Sequence, residues 1–288
     1  MQFTKMHGLG NDYIYLDAIR QDLSGEDLPH LARRLSDRNF GIGGDGIILI
    51  MPSDEADFRM RMLNADGSEA EMCGNGMRCF AKYLYEHGLT MKTDLVIETG
   101  AGLIRPRLQV QAGQVLSVSV DMGVPRLARE AIPMAGEPAD EPVIDQPLEV
   151  EGQEYRVTCV SMGNPHCVLF VDDVSSAPVA TLGPLIEHHR AFPARTNVEF
   201  VRVVEPTVLE MRVWERGSGE TLACGTGASA SVVAAGLNGK AARSCAVKLR
   251  GGDLAIEWVG NDHVLLTGPA VEVFSGEVRP TTLASRPS

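Results

Sequence analysis

The chain has 288 residues, with 38 acidic and 26 basic side chains and a formal net charge of −12. Its length gives a prior of two domains, and a hydrophobic share of 44% is enough for a sizeable core. The charge argues against a nucleic-acid partner, no apolar run approaches the ~18 residues of a membrane span, and no signal-peptide pattern opens the chain. A cytoplasmic protein is therefore expected, with its six cysteines mostly reduced.

In chain order, Phe3 to Asp17 reads as strand, Gly/Asn turn, strand, and Glu26 to Ser36 as an amphipathic helix with Leu28, Leu31, Ala32 and Leu35 on one face. The glycine cluster Gly41 to Gly46 leads into the apolar run Ile47–Ile50, and Phe58 to Leu63 alternates as a half-buried strand. Met77 to Glu86 has helical spacing and stops at His87-Gly88. Leu95 to Asp121 switches to period two, with a hairpin turn at Gln111–Gln114. Five prolines between Pro125 and Pro147 predict an irregular connection. Strands follow near Tyr155–Val160, Val168–Val171 and Val198–Val203. Then come a helix at Ala228–Leu237 and two hairpins turning at Gly251-Gly252 and Gly260-Asn261-Asp262. Pro280 to Ser288 reads as a frayed tail. Hairpins outnumber strand–helix–strand alternation, so the expected class is α+β, with a domain boundary near residues 118–125.

Shifting the sequence by 151 residues exposes a repeat. Met60/Met211, Arg61/Arg212, Glu69/Glu220, Cys73/Cys224, Gly74/Gly225 and Gly76/Gly227 coincide between Met60–Ala81 and Met211–Val232. Each copy reads strand, polar loop, Cys-Gly-x-Gly, helix, and a Gly-Asn pair precedes each cysteine, ending at Asn11 and Asn164. Two duplicated halves are expected, each with one cysteine at a loop-to-helix junction.

A helix N-terminus offers free N–H groups and partial positive charge, which favours a thiolate and forms an anion site. The expectation is that both thiols have lowered pKa values and face each other across a cleft between the halves. Helix amides around a carboxylate and one thiol on each face suit inversion at the adjacent carbon. Cys79, Cys159, Cys167 and Cys245 read as core residues. No CxxC spacing is present and His7 and His166 are isolated, so no metal site is expected. Gly41–Gly46 satisfies GxGxxG, but a helix precedes it and a strand follows, the wrong context for a dinucleotide. On residues alone, Asn11 and Asn164 read as turn residues and Arg216 as a solvated charge.

These motifs closely resemble diaminopimelate epimerase, a pyridoxal-phosphate-independent family. The matching pieces are Lys5–Asp12, Gly41–Gly46, Asn64–Ser68 through Met72–Gly76, Met162–His166, Arg195–Asn197, and Glu215–Glu220 through Cys224–Ala228. The resemblance implies two pseudo-symmetric domains, residues 1–120 with a returning strand at 270–280, and residues 121–269. Each is a mostly antiparallel β-structure wrapped round a central helix, with the active site in the cleft. It also implies epimerisation of LL- to meso-diaminopimelate without cofactor or metal, serving lysine and cell-wall precursor biosynthesis, and a homodimer with Phe274 at its interface.

Carried over by position, Cys73 and Cys224 are the catalytic acid and base, supported by His166 and Glu215. Asn11, Asn64, Asn164, Asn197, Glu215 and Arg216 bind substrate, together with the backbone at Gly74-Asn75 and Gly225-Thr226. Arg216 suits a distal carboxylate, which a guanidinium grips with two hydrogen bonds. The chain departs from the family at Gly46, where some members carry a substrate-contacting Gln. Competing expectations are a proline-type racemase, which needs no distal clamp, and a redox sensor closing a Cys73–Cys224 disulfide.

Overall fold

The computed structural model describes residues 1–279, and the expected tail at 280–288 lies outside them. The chain divides into two units: Met1–Val120 together with the residues from Gly268 on, and Asp121–Thr267.

The first unit runs β1 (Gln2–Gly8), β2 (Asn11–Asp17), α1 (Leu28–Ser36), β3 (Gly46–Met51), β4 (Phe58–Asn64), β5 (Glu69–Ala70) and α2 (Gly74–Glu86). After α2 come β6 (Ile97–Thr99), β7 (Gly102–Ile104), β8 (Arg107–Gln111) and β9 (Gln114–Asp121). The second runs β10 (Gln146–Val150), β11 (Gln153–Ser161), β12 (Pro165–Phe170), α3 (Val179–Glu187), β13 (Asn197–Glu205), β14 (Val208–Glu215), β15 (Gly219–Glu220) and α4 (Gly225–Leu237). It closes with β16 (Ser244–Leu249), β17 (Gly252–Trp258) and β18 (Val264–Gly268), and β19 (Val271–Glu277) follows.

Strand order shows the duplication. The first unit orders its sheet β19-β1-β2-β3-β4-β6-β7, and the second orders β10-β11-β12-β13-β14-β16-β17-β18. In each, a hairpin is followed by a parallel crossover through a helix, α1 from β2 to β3 and α3 from β12 to β13. Antiparallel pairing otherwise dominates, and β19 pairs antiparallel with β1.

The repeated Arg and Glu have a structural cause. Arg61 grips Glu69 with Nε–Oε1 at 2.8 Å and Nη2–Oε2 at 2.9 Å, and Arg212 grips Glu220 at 2.8 and 3.1 Å. Each two-pronged pair ties the last long strand to the two-residue strand that delivers the chain to its cysteine.

The central helices differ in composition but share a position. Apart from Thr226 and Leu237, α4 is built of Ala, Ser, Val and Gly, small enough for β11, β12, β13, β14, β16 and β17 all to reach it. α2 buries Met77, Phe80, Ala81 and Leu84 and packs on β1, β2 and β8. The sequence reading missed α3. Gly183 and Pro184 sit in its middle and mask the pattern, yet Val179, Leu182 and Ile186 pack into the second unit's core. The proline-rich connection is irregular apart from one short turn of helix at Arg129–Ala131. There the buried Arg129 binds the carbonyls of Pro138 and Ala135 and the side chain of Gln146.

Cys79 on α2 is only 1% exposed, and burial pushes its thiol up to about 12. An unfolded thiol loses its proton near 8.5. Between those values the unfolded chain releases a proton that the folded chain keeps, so stability falls as pH rises, by at most about 1.4 kcal/mol per pH unit per thiol. Burial shifts Cys167 and Cys224 in the same direction. Calorimetry is expected to show Tm dropping from about pH 9 upward, with a shallower slope in Cys79→Ala. A Tm independent of pH in that range contradicts the burial argument.

Candidate active site

Cys73 is the N-cap of α2, with extended backbone (φ −140°, ψ 121°), and its Sγ accepts the N–H of Gly76 at 3.4 Å. The thiol donates to Asn11 Oδ1 at 3.3 Å, and Asn75 Nδ2 donates to the same oxygen at 3.3 Å. Asn11 in turn donates through Nδ2 to Asp45 Oδ2 at 2.7 Å. The glycine cluster thus has a use unrelated to phosphate. It is the loop between α1 and β3, and it sets the Asp45 carboxylate behind Asn11. The backbone N–H of Asp12 holds that carboxylate from below at 3.0 Å and Arg38 from outside at 2.9 Å. Lys5 binds the Asp12 carboxylate and the Gly43 carbonyl. Burial alone would raise Asp12, but Arg38 and Lys5 hold its carboxyl below the usual range. Beneath the helix, Arg78 is fully buried and donates to Asn75 Oδ1 (2.9 Å), Gly74 O (3.4 Å) and Pro269 O (3.1 Å). It fixes the first turn of α2.

Cys224 is the N-cap of α4, also extended (φ −127°, ψ 112°), with no side-chain cap bond. Its Sγ lies 3.5 Å from Thr226 Oγ1, which accepts Asn164 Nδ2 at 3.3 Å. Asn164 Oδ1 accepts His166 Nε2 at 3.0 Å, and His166 Nδ1 lies 2.6 Å from Glu199 Oε1. His166 and Glu199 are both fully buried. At the end of β14, Glu215 accepts the Thr221 hydroxyl, while the N–H of Arg216 donates to Asn197 Oδ1 at 2.8 Å. The exposed Arg216 guanidinium rests on Ala194 O at 3.0 Å.

The third helical residue is glycine in both copies because strand side chains press against it. A Cβ on Gly76 would lie 2.8 Å from Ile48 Cδ1, and one on Gly227 would lie 2.8 Å from Glu199 Oε1. A side chain here would have to displace the Ile48 or Glu199 side-chain tip, so glycine lets the helix start close to β3 and β13 without that shift.

The lowered thiol pKa expected from the helix ends is corrected by burial. Desolvation raises Cys73, and the N–H groups of Gly76 and Asn75, the Tyr13 hydroxyl and the Arg78 cation pull it back only in part. Cys224 is pushed well above the usual range, by burial first and then by Glu215 and Glu199, against the opposing Thr226 hydroxyl and Gly227 N–H. Burial thus raises both thiols. Cys73 has a cation beneath it and Cys224 two carboxyls beside it.

Asn11, Cys73, Gly74 and Asn75 form one junction, and Asn164, His166, Cys224, Gly225 and Thr226 the other. Asn197, Glu215 and Arg216 cluster at the adjoining strand end. Asn64 stands apart from the first junction's hydrogen bonds, with its amide donating to Ser68 Oγ at 3.0 Å. His166 does not touch Cys224 by a hydrogen bond, since both ring nitrogens are engaged elsewhere. The sequence reading missed Asp45, Arg78 and Glu199. Glu199 had a visible signal, a lone acid inside the otherwise apolar Val198–Val201 of a fully buried strand segment.

The diaminopimelate epimerase family model matches residues 3–128 and 158–273. The diaminopimelate epimerase of Moorella thermoacetica is 59% identical over 96% of this chain and 99% of its own. That of Pelotomaculum thermopropionicum is 56% identical over 96% and 98%. Among solved structures, a probable proline racemase from Agrobacterium radiobacter K84 shares the fold, with a TM-score of 0.67 at 17% identity over 98% of this chain and 94% of its own. With both cysteine junctions inside the matched segments, the chain belongs to the diaminopimelate epimerase family.

Proposed function

We propose that this protein interconverts LL- and meso-diaminopimelate with Cys73 and Cys224 as paired base and acid. The observation that carries the reading is the duplicated junction: each unit ends a strand, pins it with an Arg–Glu pair and presents one cysteine at a helix N-cap. With one cysteine as thiolate and the other as thiol, the thiolate removes the α-proton, and the C–H electron pair stays on carbon, delocalised into the carboxylate. The other thiol delivers its proton to the opposite face and becomes the thiolate. Charge and protons balance, and the reverse reaction exchanges the two roles. The free amides at Gly74-Asn75 and Gly225-Thr226 receive the α-carboxylate, whose negative charge grows in the transition state. Glu215 orients the ammonium, Asn11, Asn64, Asn164 and Asn197 hold the polar groups, and Arg216 takes the distal carboxylate.

The test is conversion of LL-diaminopimelate by purified protein without added cofactor, followed by chiral chromatography. Meso product is expected, and none would contradict the reading. Arg216→Ala is expected to raise KM by about 10–100-fold, the worth of a charge-assisted hydrogen-bond pair. A KM shift under about threefold would remove the distal clamp from the account.

A homodimer is part of this proposal. β19 is the outermost strand of its sheet, and Val271, Val273 and Phe274 on it are exposed. An apolar edge strand invites pairing with another chain, and a second copy offers the same edge in return. Phe274→Asp is expected to turn the dimer into monomer in analytical ultracentrifugation. An unchanged sedimentation coefficient would place the contact elsewhere.

A further inference from the structure

We infer that Glu199 is a positioning residue for the second junction: it decides which ring nitrogen of His166 carries hydrogen, and through it the orientation of the Asn164 amide. The inference rests on the proposed substrate-binding role of Asn164 for its kinetic consequences, but not for its geometry.

The duplication shows what this position is like without an acid. Ile48 and Glu199 occupy the same slot, each beneath the third residue of a central helix and paired to the long strand beside it, at Met62 and at Val213. The first unit fills that slot with an isoleucine. The second buries a carboxyl there, with Oε2 lacking any hydrogen-bond partner among the described residues. Burying an acid in place of an alkyl group costs stability that pairing only partly offsets, so its place here points to a use.

Its use follows from the direction of the hydrogen bonds. The contacts run Glu199 Oε1 to His166 Nδ1 (2.6 Å), His166 Nε2 to Asn164 Oδ1 (3.0 Å), Asn164 Nδ2 to Thr226 Oγ1 (3.3 Å) and Thr226 Oγ1 to Cys224 Sγ (3.5 Å). Burial raises the Glu199 carboxyl, which brings it toward sharing one proton with the imidazole. That proton sits either on the carboxyl or on Nδ1. In both cases Nε2 keeps its own hydrogen and donates to Asn164 Oδ1. The amide must then turn its NH2 to Thr226, which leaves the Thr226 hydroxyl free to donate to the Cys224 sulfur. This donor opposes the carboxyls of Glu199 on β13 and Glu215 at the end of β14. With an alkyl side chain at 199, the imidazole is free to carry its hydrogen on Nδ1. Nε2 then accepts, the amide reverses, and Thr226 donates to Asn164 instead of to sulfur.

Two variants and one spectroscopic readout test this. Histidine 15N NMR of the wild-type protein is expected to show hydrogen on His166 Nε2. Glu199→Ile is expected to populate the neutral Nδ1–H form, and Glu199→Gln to keep Nε2–H, because its amide donates to Nδ1. In turnover, Glu199→Ile lowers kcat/KM about 100-fold, the cost of a misplaced active-site group, and Glu199→Gln recovers at least about tenfold of that. In an Asn164→Ala background Glu199→Ile costs less than about threefold, because the residue it acts through is gone. A neutral Nδ1–H imidazole in the wild type overturns the inference. So do additive losses in the double variant, or a Gln variant as impaired as Ile. If Glu199→Ile does not fold, the wild-type spectrum and the Gln variant still decide. Failure of the two-thiol reading would look different: turnover unaffected by loss of a cysteine, with the His166 signal as expected.

Discussion

Cys73→Ala and Cys224→Ala are each expected to lower epimerisation by at least about 10³-fold while the protein still folds, since each removes one of the two proposed proton-transfer groups. The alternatives are occupied. The His166 ring is held between Glu199 and Asn164, Glu215 is bound by Thr221, and Arg78 cannot act as a base. The stability costs differ for a local reason. Cys73 Sγ accepts the Gly76 N–H, so its alanine variant loses a weak cap, about 0.5–1 kcal/mol. Cys224 makes no cap bond, so its variant loses buried volume and the contact with the Thr226 hydroxyl. Thermal melts by circular dichroism and initial rates in both reaction directions check this. Wild-type activity in either alanine variant contradicts the two-thiol mechanism.

Gly46→Ala is expected to destabilise the first unit by about 3 kcal/mol, and Gly46→Gln by at least as much. A Cβ at this position would lie 2.1 Å from the Leu63 carbonyl oxygen and 3.1 Å from Asn64 Cα, both backbone atoms of the paired strand. A side chain would force β3 and β4 apart where Gly46 pairs with Asn64. A glutamine at this position, which the resemblance leads one to expect in some family members, would meet backbone in this chain. The second unit resolves the corresponding strand start differently. Asn197 has a side chain there, and it accepts the N–H of Arg216. Urea denaturation measures the effect, and a loss below about 1 kcal/mol would mean that the strands separate easily at this point.

Much of this was readable from residues, and the rest was hidden for identifiable reasons. α1 was legible from its apolar spacing, α4 from its Asn238-Gly239 stop, and α2 from both kinds of signal. α3, which occupies α1's place in the duplication, was hidden because Gly183 and Pro184 lie in its middle and tertiary packing overrides them. The two cysteine junctions stood out because Arg61/Arg212 and Glu69/Glu220 recur at the same offset. Their ion pairs explain that recurrence. The thiol pKa direction was misjudged because composition says nothing of how deeply a helix start is buried, and desolvation outweighs the helix amides at both cysteines. Glu199 and Asp45 escaped notice for a related reason. A positioning carboxyl acts through His166 or Asn11, and sequence distance does not reveal which side chain lies behind which.

Two thiols working as separate acid and base leave a signature in deuterium oxide. LL-diaminopimelate is incubated with the purified enzyme and sampled early, and deuterium at the α-carbon is measured in product and in recovered substrate. Solvent deuterium is expected in the first meso product and none in the recovered LL substrate, because the proton removed and the proton delivered belong to different sulfurs. Product that retains the substrate's own hydrogen, or deuterium appearing equally in recovered substrate, would show a single base on one face and contradict it.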